Sequence, residues 1–192
     1  MSSTFKTAGL SGTAVLWTLM FVAAFLYFVL GVGLSLYTST PIVLFDLLGS
    51  VLLLALIVYS WFGGVRGYSM DGENLIVIRN GPGRVIIPLE KITGAVHKPN
   101  IGNFLNMGFF GIGGLFGWAG RARVRNPTDI DSLQAEVYGT NPKNSVVLEM
   151  ESGNTIIVTP ADPQALVAAL EDRGIRPPAP AAIARGRKGR RR

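Results

Sequence analysis

The chain has 192 residues, 48% apolar and 16% charged, with a mean hydropathy of +0.37, too apolar for disorder and hard to reconcile with one soluble domain. Eighteen basic and twelve acidic residues leave +6, and six of the basic ones, Arg185, Arg187, Lys188, Arg190, Arg191 and Arg192, lie in the last eight positions. The other twelve basic residues balance the twelve acids, which excludes a uniformly basic body built to grip nucleic acid and moves any polyanion argument to the tail; without Cys there are no disulfides or thiolate chemistry.

No residue between Lys6 and Asp46 is charged. Residues 14–37 form an apolar run of about 36 Å as a helix, enough to cross a hydrocarbon core of roughly 30 Å. A second run, 41–62, is also long enough, and only Thr38, Ser39 and Thr40 separate the two. So short a connection predicts an antiparallel hairpin, with Pro41 in the first turn of the second helix, where its missing N–H costs nothing. The connecting loop carries no basic residue, whereas Lys6 precedes the first helix and Arg66, Arg79 and Arg84 follow the second, so both termini are expected in the cytoplasm. Trp17 and Tyr37, then Tyr59 and Trp61, sit at depths where amphipathic rings favour the interface. A signal peptide does not fit, because the first run is too long and no small-x-small cleavage site precedes the second. Asp46 is the one acid inside a span; it is read as an interfacial residue near the positive end of the second helix, with ion or proton passage as the functional alternative. Gly31 and Ser35 form a small-xxx-small pair suited to packing within the hairpin.

From residue 66 the pattern changes to short β-type runs broken by Gly, Pro, Asn and Asp, which predicts a small antiparallel domain over 66–174. Residues 68–70 lead through the Asp71-Gly72 turn into a strand at 74–79, and Gly81-Pro82-Gly83 turns into 84–89, where Pro88 marks an edge or strand end. Residues 92–97 follow as a strand. Between Lys98 and Arg121 lie 22 uncharged residues rich in Gly and aromatics. A third span there would put Arg121, Arg123, Arg125 and the tail outside, against the charge bias. The expectation is a strand with a glycine-rich loop. Its rings, Phe104, Phe109, Phe110, Phe116 and Trp118, either form an exposed surface that meets the membrane or a partner, or belong to the core. Residues 133–138 read as the next strand, and 146–151 with 155–159 as a hairpin turning at Ser152-Gly153, with Leu148 and Met150 inward and Glu149 and Glu151 in water. After Pro160 the period becomes helical, with Asp162 as N-cap, Pro163 in the first turn, Leu166, Val167 and Leu170 on one face, and Gly174 as the stop. Residues 175–192 are expected to be a Pro/Ala-rich basic tail.

The stretch Tyr68-x-Met70-Asp71-Gly72-x-Asn74-Leu75-Ile76-Val77, followed by Ile87-Pro88-Leu89-Glu90-Lys91-Ile92, Gly113-Gly114-Leu115-Phe116-Gly117 and Ile157-Val158-Thr159-Pro160-Ala161-Asp162-Pro163, resembles the bacterial pleckstrin-homology-like domains carried behind transmembrane helices. The resemblance implies an α+β, mainly β fold: a bent antiparallel sheet or partial barrel closed by one C-terminal helix, behind a membrane α-hairpin. Eukaryotic relatives of this fold often bind phosphoinositides or peptides, but the first hairpin offers only Arg79 and Arg84, so the fold does not carry over a ligand.

Other chemistry finds little support. Gly111-x-Gly113 lacks the third glycine of a dinucleotide fingerprint, which Phe116 replaces. His97 is the only histidine and has no nearby Cys or converging acids for a metal or a triad. The chain is therefore expected to act by binding, without catalysis or a cofactor, as a two-span cell-membrane protein. Its expected partners are the bilayer, anionic headgroups met by the tail, and a protein segment or a second copy met by the domain. Basic residues near an anionic leaflet contribute up to about 1 kcal/mol each. The alternative is a tether for RNA, DNA or ribosomes, which the tail would hold through phosphates with little base preference, having no ring to stack.

Overall fold

The computed structural model describes residues 3–10, 12–38, 43–99, 108–113, 116–125 and 132–177. Two apolar helices, α1 (Gly12–Thr38) and α2 (Val43–Gly63), are each long and apolar enough to cross a membrane. They run antiparallel: Phe28 of α1 lies against Gly49 of α2, and Gly31 of α1 against Asp46. Glycine at both crossings lets the backbones approach, as small residues do where helices cannot gain from excluding water. A Cβ on Gly49 would stand 2.6 Å from the Phe28 ring. Their outward faces remain uncovered, with residues such as Leu30, Leu34, Leu44, Leu52 and Tyr59 exposed.

Besides the helices there are ten strands among the described residues, more than the short runs of the sequence predict. The first, β1 (Ser3–Lys6), precedes α1 and pairs antiparallel with β2 (Val65–Met70), which leaves α2. With β3 (Asn74–Arg79) and β4 (Arg84–Pro88) these form a four-stranded sheet in the order β1-β2-β3-β4. Pro88 ends the edge strand β4, where a residue without an N–H does no harm. The second sheet has the order β5-β9-β10-β8-β7-β6, from β5 (Ile92–His97), β6 (Gly108–Gly113), β7 (Trp118–Arg125), β8 (Ser132–Gly139), β9 (Val146–Met150) and β10 (Thr155–Val158). The β9–β10 hairpin is antiparallel as expected, and one pairing, β10 with β8, runs parallel within the otherwise antiparallel sheets. The cause is connection length: β9 intervenes between β8 and β10, and the chain returns to β8 running the same way. The two sheets do not close into one barrel; a bridge between Thr7 and Pro160 joins them at a corner.

The main core fills the space between the sheets with Tyr68, Leu75, Val77, Leu148 and Val158, and α3 (Pro163–Glu171) plugs it with Leu166 and Leu170. Asp162 caps α3 by accepting from the Ala165 N–H at 3.0 Å, as its position before Pro163 requires. Gly174 adopts φ +85°, and the Ile175 N–H then bonds back to the Leu170 carbonyl. Ile175 is buried in the core as a result, so the tail expected from 175 begins later. Leu148 and Met150 face this core, but the opposite face of the six-stranded sheet is also apolar: Trp118, Ala135, Val137, Val147 and Ile157 form a second cluster.

Tyr68 ties the elements together. Its buried hydroxyl donates to the Tyr138 carbonyl at 2.7 Å and accepts from the Thr159 N–H at 2.9 Å, satisfying the ends of β8 and β10 at once. Burial pushes its phenol well above the ordinary tyrosine value, so the neutral hydroxyl is the folded form. Its contribution is complete below about pH 10 and is lost as the pH rises beyond that. Tyr68→Phe leaves one buried donor and one acceptor unpaired and should lower unfolding stability by about 1–3 kcal/mol. Denaturant titration of the full chain in detergent micelles checks this, and the variant should lose stability less steeply on alkaline titration.

Candidate functional site

The arrangement that distinguishes this molecule lies where the helix hairpin enters the domain. A helix leaves its last carbonyls without internal donors, and at the end of an apolar helix they need partners from elsewhere. At the end of α2 the β3–β4 turn supplies them. The Asn80 side-chain amide donates to the Trp61 carbonyl at 3.1 Å, and the Gly81 N–H to the Phe62 carbonyl at 3.0 Å. The Asn80 N–H bonds to the Gly64 carbonyl at 2.9 Å, which starts the β2–β3 ladder directly behind the helix. Contact is close enough to require glycine on both sides. A Cβ on Gly81 would stand 2.8 Å from the Phe62 carbonyl oxygen, and one on Gly64 would meet the Asn80 amide at 2.8 Å and the Phe116 carbonyl oxygen at 3.0 Å.

The other helix is held as firmly. After β1 the Ala8 N–H donates to the Thr159 carbonyl at 3.0 Å, the Ala161 N–H returns to the Lys6 carbonyl at 2.8 Å, and the Thr140 hydroxyl donates to the Ala8 carbonyl. Residues 3–8 thus strap the approach to α1 across both sheets. Nothing in the sequence pattern of residues 3–8 announces a strand, and Asn80-Gly81 reads there only as a turn. The sole hint was Gly63-Gly64 directly behind an apolar helix, where backbone close approach is cheapest.

Asp46, expected near water at the outer interface, lies buried between the helices. Ser35 donates to its Oδ2 at 3.1 Å, and Ser50 donates to its backbone carbonyl at 2.8 Å. The Gly31–Ser35 pair makes the space: Gly31 faces the carboxylate and Ser35 bonds it. Of the aromatic segment, Trp118 packs in the second apolar cluster and is 7% exposed, so it belongs to the core, because β7 places it against Val137 and Ile157. Phe116 is partly exposed and lies beside Gly64, at the end of α2. Phe109 and Phe110 fall on β6, opposite Ala122 and Arg121 of β7, with side chains outside the described residues. Phe104 and the basic residues Arg185, Arg187, Lys188, Arg190, Arg191 and Arg192 also lie outside the described residues.

A smaller polar cluster sits on the junction side of the six-stranded sheet. The Arg79 guanidinium lies 5.6 Å over the Tyr138 ring, and the Tyr138 hydroxyl donates to Glu136 at 3.1 Å. Burial, then the Glu136 charge, raises the Tyr138 phenol above its ordinary value, while Arg79 opposes the shift. Arg121 and Glu136 pair at 3.7 Å in water, where such a pair adds little. His97 ends β5, and no group of metal-ligating side chains occurs among the described residues.

A model of the bacterial PH domain matches residues 66–174, more than half of the chain. The chain belongs to the bacterial PH domain family. No curated protein and no solved structure matches it. The matched region of this bacterial PH domain begins two residues after Gly64 and ends at the Gly174 stop of α3, so β1, the strap and both helices lie outside the family's segment.

Because Gly81 has no room for a side chain, Gly81→Leu should lift the β3–β4 turn from α2 and expose the connection. Limited trypsin digestion of the full chain should then cut several times faster after Arg66, whereas Pro82→Ala, in the exposed part of the same turn, should leave the rate unchanged.

Proposed function

We propose that the chain is a membrane-anchored binding and scaffold module whose bacterial PH domain stands on the cytoplasmic face, acting by recognition rather than catalysis. The observation that carries this reading is the double attachment: one domain takes up the strand before α1 and caps the helix after it, while the outer faces of an apolar hairpin stay uncovered. Both ends of the hairpin therefore return to the same body. If the helices cross a bilayer, the termini share a side, and basic residues at that end with none in the loop favour the cytoplasm. A domain fixed at two points keeps one orientation to its anchor, which suits a platform for a protein segment or a second copy better than a freely swinging tether.

In this reading the basic tail is a further contact with anionic headgroups.

The absence of cysteine makes the topology directly testable. Ser39→Cys should react with a membrane-impermeant maleimide in intact cells. Glu151→Cys, in the turn after β9, should react only after permeabilisation. Equal labelling of the two in intact cells would overturn the reading.

A further inference from the structure

The body of the chain sums to zero charge, yet the strand registers sort that charge by end. At the helix-bearing end, Lys6 closes β1, Arg66 sits at the register shift that opens β2, and Arg84 opens β4 three residues after the Gly81 contact with α2. Lys98 follows β5 and bonds through its N–H to the Ser145 carbonyl, and Lys143 stands in the short turn before β9, whose neighbour Asn144 holds the Pro160 carbonyl beside the strap. All five side chains are exposed. Among the described residues the acids on this side are engaged: Asp162 as the cap of α3, and Glu136 by the Tyr138 hydroxyl and by Arg121.

The opposite end reverses the sign. Asp71 and Glu73 flank the β2–β3 turn, Glu90 lies in the turn after β4, Glu151 follows β9, and Glu171 and Asp172 close α3; all but the half-buried Asp71 are exposed. Lys91, Arg173 and Arg176, with Arg123 and Arg125 where the β7–β8 register carries β7 to the same end, offset these six only in part, and Arg173 is turned back onto the Gly72 carbonyl at 2.6 Å. The domain is thus a charge dipole lying along its own axis, with the positive pole where the helices enter.

We infer that the exposed basic rim, with Lys6, Arg66 and Arg84 at its centre, is a binding surface for the anionic lipid headgroups of the leaflet from which the helices emerge. This inference rests on the membrane reading above. Three observations support it: the rim adjoins the last turn of α2, its exposed charges are basic apart from the capping Asp162, and the unpaired exposed acids that would repel a negative surface are at the far end. Phe116, partly exposed beside Gly64, adds an aromatic ring at the same level. Each rim residue seated near an anionic surface is worth about fivefold in occupancy, and the effect fades within a Debye length of about 8 Å at physiological ionic strength. A consequence is polarity: the rim holds the acidic end outward, away from the like-charged bilayer.

The test uses the full chain with a single cysteine at Pro82, in the exposed turn between β3 and β4, carrying an environment-sensitive fluorophore. It is reconstituted in vesicles of phosphatidylcholine alone or of phosphatidylcholine with phosphatidylglycerol. The rim predicts a blue-shifted emission in the anionic vesicles that is reversed by salt and abolished by Arg66→Glu with Arg84→Glu, while deletion of residues 185–192 leaves it in place. Emission that ignores phosphatidylglycerol, survives the double substitution, or disappears on deleting the tail alone would overturn the inference. Resistance to alkaline carbonate extraction, read on the same samples, reports separately on the hairpin: a chain that is extracted defeats the membrane reading, whereas one that resists but shows no lipid-dependent shift defeats only the rim.

Discussion

The C-terminal end of an apolar helix presents carbonyls that no residue of that helix can satisfy, and much of this molecule is arranged around that constraint. The Asn80-Gly81 turn meets it with one side-chain amide and one backbone N–H, and does so at contact distance. Once the turn is fixed there, β2 must start directly behind α2, and β3 and β4 must radiate from the same point. The four-stranded sheet is therefore built outward from the helix end. Gly64 and Gly81 are determined by this approach rather than by loop flexibility, since each lies where a Cβ would meet another atom within 3 Å.

A second consequence concerns the first helix. Strand β1 completes β2, and the residues after it span both sheets through Thr159, Pro160 and Thr140. Tyr68 sits beneath this strap and holds the ends of β8 and β10 through one hydroxyl. Hairpin, strap and core thus share residues, so a disturbance at one is felt at the others, as expected for a buried polar group with two partners. Within the hairpin, Asp46 gives a similar fixed point. A carboxylate between apolar helices is costly unless bonded, and Ser35 at 3.1 Å specifies how the helices face each other.

The charge distribution illustrates why composition is a poor guide to a surface. The balance of twelve basic and twelve acidic residues before the tail describes a neutral body, and it is neutral only as a sum. Antiparallel registers bring residues far apart in sequence, such as Lys6 and Arg66, to one end, and carry Asp71, Glu151 and Glu171 to the other.

Local patterns were legible in the sequence by itself. Uninterrupted apolar runs specified α1 and α2, two-residue alternation specified the β9–β10 hairpin, and Asp162-Pro163 with Gly174 marked both ends of α3, because each of these signals acts within a turn or a strand of the residue that carries it. The family was legible too, from ordered short motifs between residues 68 and 163. The tertiary structure alone decided the matters that depend on distant partners. It added β1, whose residues show no strand pattern and gain their bonds from β2; it set β10 parallel to β8; and it moved Trp118 and Ile175 into cores. It also brought Asn80, Gly81 and Gly64 together into the helix cap, and sorted the charges before residue 185, which sum to zero, into a basic and an acidic end. Backbone hydrogen bonding between segments and burial on a second face leave no local period in a sequence, so only the assembled fold could show them.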